Sequence, residues 1–150
     1  MIGQSDDLAT LKTLTSTLND SVNGYREAAK DVHSNEFRDL FTQFADERSR
    51  YSADLQAEVR RLGGEPDNDG STLGSLHQTW LDLKSAVTGR DDKAIINEVE
   101  RGEDYLKEKF ETALNSDNLT GESRMVVERT YQSVREGHDR VSALKHGLEA

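Results

Sequence analysis

Three ionisable side chains sit where a helical chain of this pattern would otherwise bury apolar groups. Arg48 falls between Phe44 and Tyr51, Glu103 between Val99 and Leu106 beside Gly102, and His138 between Val134 and Val141. At about 100° per residue, each lies on the stripe its apolar neighbours mark. Tyr131 lies on the stripe two turns before His138, while Glu47 and Glu58 sit at the edge of the one carrying Arg48. A charge withdrawn from water must be paired or ligated. The residue types leave two chemistries. In one, Arg48 and Glu103 form a buried ion pair, and His138 and a tyrosine hydroxyl complete a polar network. In the other, Glu47, Glu103 and His138 ligate iron or another divalent metal. Arg48 favours the first, because a guanidinium beside carboxylates supplies the positive charge a metal would bring. A stripe displaced by a few tens of degrees would instead carry all three groups to solvent.

Other residues with chemical potential read as structure. His77 and Trp80, three apart, flank an apolar face and are expected to cover the helices beneath. His33 and His146 fall at helix C-termini, where imidazole complements the dipole. The glycine-containing stretches 70–74 and 89–92 lack the spacing of a phosphate or dinucleotide loop. Asp67, Asn68 and Asp69 resemble the start of a calcium loop, but Gln78 and Thr79 stand where its closing Glu belongs. No Ser–His–Asp arrangement can be inferred, and no catalytic residue is assigned.

The elements that must position these groups are all helical. A first helix is predicted over about 5–33, with Leu11, Leu14, Leu18, Val22, Tyr25, Ala29 and Val32 at alternating three- and four-residue steps. Ser5 is its expected N-cap region. Ser34 or Asn35 caps a second helix over about 36–62, which stops at Gly63-Gly64, with Pro66 shortly after. A shorter helix over about 71–88 forms a crossover. Two more long helices follow over 92–115 and 121–146. No segment alternates like a strand. The first hairpin has a connection of two or three residues, so its helices must be antiparallel neighbours. Two such hairpins joined by a long connection give an all-α, ferritin-like four-helix bundle, read as one domain over 1–150.

Composition bounds the rest. The chain has 150 residues and a formal net charge of −10, which argues against a nucleic acid or an anionic membrane as partner. It has no cysteine, which excludes disulfides, zinc–thiolate sites and a cysteine nucleophile. No apolar run approaches the roughly 20 residues of a membrane span. The N-terminal stretch lacks a basic and apolar leader, so a soluble cytoplasmic location is expected.

The stretches LNDSVNGYREAAKDV, LQAEVRRLGGEP, GSLHQTWLDLKSAVTGRDDKAIINEVERGED and HDRVSALK resemble a bacterial family of stand-alone ferritin-like four-helix-bundle proteins of unknown function. The resemblance runs from about Leu8 to Lys145. It implies the ferritin-like bundle and a bacterial source. The wider ferritin-like group holds two irons with one Glu on each of two helices and a Glu-x-x-His on each of the others. Here the first helix offers no inward Glu, Glu47 is followed three residues later by Arg50, and His138 is preceded three residues earlier by Arg135. Only Glu47, Glu103 and His138 match parts of that pattern. The expectation is a non-catalytic, stress-related or interaction module without a cofactor. A degenerate or mononuclear metal protein is the alternative. Homo-oligomerisation through Trp80 and the crossover is a third reading.

Overall fold

The computed structural model describes residues 2–65 and 91–149, with side chains for 7–65 and 91–147. The crossover predicted over 71–88, His77, Trp80 and the Asp67–Asp69 stretch lie outside these residues. Within them the chain forms four helices: α1 (Ile2–Asp31), α2 (Asn35–Arg61), α3 (Asp92–Asn115) and α4 (Gly121–Glu149). Boundaries fall within a few residues of those the sequence predicts. The exceptions are the outer ends: α1 begins at Ile2, so Ser5 lies inside the helix and does not cap it, and α4 runs on past His146.

Local chemistry sets the inner boundaries. The Ser34 side chain accepts the Phe37 N–H and starts α2, and Asp91 accepts the Ala94 N–H and starts α3. At the end of α2, the Gly63 N–H donates to the Arg60 carbonyl and the Gly64 N–H to the Val59 carbonyl. These are the two bonds of a Schellman cap, and Gly63 takes the positive φ of 88° that such a cap requires.

The two hairpins, α1–α2 and α3–α4, pack with α1 against α3 and α2 against α4. Each hairpin also grips the turn of the other. The Asp92 carboxylate of α3 accepts the His33 and Ser34 N–H groups at 2.7 and 2.9 Å. The Asp7 carboxylate of α1 accepts the Thr120 N–H at 3.1 Å and its hydroxyl at 2.9 Å. Both contacts satisfy donors that helix ends leave without intrahelical partners. Every apolar position read from the α1 sequence is buried, from Leu11 to Val32.

The core is divided along its length. One apolar cluster gathers Tyr25, Phe41, Phe44, Ile95, Ile96 and Val141 near the α1–α2 turn. A second gathers Leu11, Leu14, Leu55, Leu106, Phe110 and Val127 at the opposite end. On each helix the residues between the clusters are polar or lack a side chain: Ser21 on α1, Arg48 and Ser52 on α2, Gly102 and Glu103 on α3, and Gly137 on α4. The fold thus carries a polar layer at mid-height.

Candidate functional site: a buried ion pair at mid-height

Arg48 and Glu103 meet in this layer, at 2% and 0% side-chain exposure. The guanidinium addresses both carboxylate oxygens: Nη1 donates to Oε1, and Nη2 donates to Oε2 at 2.6 Å. Nη1 also donates to the Ser21 hydroxyl at 2.6 Å. The planar fork matches the carboxylate, and this two-point geometry is the one that favours Arg over Lys. The guanidinium carbon lies 5.1 Å from the centre of the Tyr25 ring, so the aromatic face also supports the cation.

Electrostatics follow from burial and charge. Burial alone would lower the affinity of Arg48 for its proton, but the charge and hydrogen bonds of Glu103, together with smaller effects of Tyr25 and Glu47, outweigh it and hold Arg48 above the usual guanidinium range. Burial pushes the Tyr25 phenol well above its ordinary value, reinforced by the charge of Glu103 and opposed by that of Arg48. Tyr25 therefore stays protonated beside the pair and contributes a neutral hydroxyl.

The fourth wall of this layer is backbone. A Cβ at Gly137 would stand 2.6 Å from Arg48 Nη2 and 3.4 Å from Glu103 Oε2. Real Cβ atoms essentially never approach another atom so closely. Glycine at this point of α4 thus gives the guanidinium the space it occupies. A lone glycine within a helical stretch, far from either end, was the available sequence signal. An apolar stripe cannot register it, because glycine carries no hydrophobic side chain.

The same blind spot displaces His138. The buried seam of α4 runs Ser123, Val127, Thr130, Val134, Gly137 and Val141, with Ser133 also buried beside it and Tyr131 and His138 one position off it. His138 therefore turns out of the core. Its Nε2 lies 2.5 Å from Asp104 Oδ1 and its Nδ1 lies 3.3 Å from Asp139 Oδ1. Burial lowers its proton affinity, but hydrogen bonds to Asp104 and Asp139 outweigh that and raise it above the ordinary imidazole value. Glu47 is half-buried at the α2–α4 seam, where it accepts the Ser133 hydroxyl. Of the residues expected to converge, Arg48 and Glu103 do so, while Glu47 and His138 engage separate partners. Among the described residues, no group of three or more His, Cys, Asp or Glu side chains could hold a metal ion.

Other buried polar groups escape a stripe-based reading. Glu58, expected at a solvated edge, is 5% exposed. It accepts both Arg61 donors at 2.6 Å and the Ser123 hydroxyl at 2.7 Å. The Arg61 hydrogen bonds, helped by Ser123, hold its carboxyl below the usual range against the opposing effect of burial. Asp7 and Asp20 of α1 are also buried, although the apolar stripe of that helix contains no acid.

The polar layer lies largely within the part of the chain that comparison with protein families identifies. A family model described as a domain of unknown function, DUF2383, matches residues 6–116. The chain belongs to this family. The DUF2383 match takes in Ser21, Tyr25, Arg48 and Glu103, whereas Gly137 and His138 lie on α4, beyond it. No curated protein matches the chain. Among the described residues of this DUF2383 protein, no helix is long and apolar enough to cross a membrane.

Proposed function

We propose that this protein is a non-catalytic, ferritin-like helical module that acts through binding, and that the Arg48–Glu103 pair stands where ferritin-like relatives hold two irons. The observation that carries this reading is the guanidinium itself. It lies between the two apolar clusters, bonded to both Glu103 oxygens and Ser21, with space left for it by Gly137.

The donor set suits a guanidinium rather than a metal ion. Glu103 is engaged by Arg48, Glu47 by Ser133, and His138 by Asp104 and Asp139. A metal placed among them would also face a fixed positive charge. The two-hairpin arrangement and the turn contacts of Asp7 and Asp92 support the ferritin-like topology. The reading takes 1–150 as one domain working in the bacterial cytoplasm.

Metal content tests this directly. Untagged protein purified without chelator is assayed by plasma mass spectrometry, then melted with and without ferrous iron, zinc and chelator. The expected result is no stoichiometric metal and an unchanged melting temperature. Stoichiometric metal that is lost in His138→Ala would overturn the reading.

A further inference from the structure

We propose that the α2–α4 face docks a second copy of this chain, in a symmetric dimer whose two-fold axis runs along the helices. The inference is independent of the reading of the core pair. Three shallow clefts of about 500 Å³ each follow one another along this face. The uppermost lies between Glu36, Asp39 and Leu40 on α2 and Arg140 and Leu144 on α4. The middle one lies between Tyr51 and Asp54 on α2 and Arg129 on α4. The third continues from Arg129 to Met125, which is 63% exposed and is the exposed large apolar side chain among the described residues.

The walls differ in charge. On α2, Glu36, Asp39 and Asp54 make no ion pair among the described residues, and on α4 neither do Arg129 and Arg140. Of the α4 acids nearby, Glu122 is engaged with Arg61 at 3.4 Å and Glu128 with Arg124 at 3.1 Å, whereas the exposed Glu136, one turn before Arg140, makes no ion pair among the described residues. The uncommitted charge is therefore mainly negative on α2 and positive on α4. Arg50 on the α2 wall and Glu136 on the α4 wall are the exceptions.

A half-turn about an axis lying along the groove carries α2 of one copy over α4 of the other at unchanged height. Residues that line one cleft together are already level. Glu36 and Asp39 then face the partner's Arg140, and Asp54 faces the partner's Arg129, with each contact made twice. Such an isologous patch complements itself. The net charge of −10 makes the remaining surface repel its copy, so association depends on a local match of this kind. Tyr51, Leu144 and Met125 supply the apolar contact beneath the charges.

Charge reversal on the full chain gives the test. Glu36→Arg with Asp39→Arg and Asp54→Arg makes both walls basic, and Arg129→Glu with Arg140→Glu makes both acidic. All five residues are exposed, so each variant should melt like the parent. Sedimentation velocity should show a wild-type dimer of twice the 16.8 kDa chain. Each variant alone should dissociate at least about tenfold more readily. An equimolar mixture of the two should recover a dimer containing one of each, because every acidic wall then meets a basic one. A wild-type chain still monomeric near about 1 mM would overturn the proposal. So would variants that dimerise like the parent, or a mixture that stays monomeric.

Discussion

Replacing Gly137 by Ala separates the effect of the polar layer from that of the helix around it. On propensity alone the change should stabilise α4, since glycine in a helix interior is less favourable than alanine by about 0.8–1.0 kcal/mol. The structure predicts the opposite sign. The new Cβ would lie 2.6 Å from Arg48 Nη2, so the guanidinium would have to retreat by about 1 Å to reach normal contact. Any retreat stretches its hydrogen bonds to Ser21 and to both Glu103 oxygens, which fix its position. Overpacking of this kind costs roughly 1–3 kcal/mol, which leaves a net loss of up to about 2 kcal/mol after the propensity gain. In a chain of this size that lowers the melting temperature by up to roughly 8 °C. Urea unfolding followed by circular dichroism measures the difference. The decisive comparison is the same substitution in an Arg48→Met, Glu103→Leu background. There no guanidinium fills the space, and Gly137→Ala should become stabilising by up to about 1 kcal/mol, a coupling of about 1–3 kcal/mol. Stabilisation by Gly137→Ala in the otherwise unchanged protein would refute the account of glycine as the space for Arg48.

Breaking the pair and replacing it should also differ. Glu103→Ala strands a buried guanidinium and should cost about 3–5 kcal/mol in a denaturation series, whereas the Arg48→Met, Glu103→Leu double variant should lie close to the parent or above it. A loss under about 0.5 kcal/mol for Glu103→Ala would contradict the burial of the pair. The raised proton affinity of His138 gives a stability contribution fully present below its unfolded pKa, near 6.5, and lost as pH rises through the higher folded value. An NMR titration should therefore place the His138 midpoint above 6.5 and show it falling in Asp104→Asn; no fall would remove Asp104 as a cause. Glu58 behaves in the opposite sense. Its lowered pKa gives stability present above the ordinary value of 4.5 and lost as pH falls through the folded one, so Arg61→Ala should flatten the acid limb of a stability–pH curve.

The sequence by itself determined the four helices and the turn chemistry of Ser34 and Gly63, and it favoured a pairing of Arg48 with Glu103 over a metal site at Glu47, Glu103 and His138. All of these depend on periodicity or on short-range geometry, which a linear chain carries in full. Arg48 and Glu103 were legible because each interrupts an apolar stripe, and a buried charge of one sign requires the other. Tertiary packing decided what the stripe could not register. Gly137 has no side chain to mark its place on the seam, so the last stripe reads one residue late and appears to put His138 in the core. Only the approach of α3 brings Asp104 to His138, and only the approach of α4 closes Ser123 over Glu58 and Ser133 over Glu47. Asp7 and Asp92 reach the turn of the opposite hairpin, a contact fixed by how the hairpins dock and by nothing within either one. Local sequence specifies which face of each helix is apolar. Which polar group at the edge of that face finds a partner depends on the neighbouring helix, its height and its rotation.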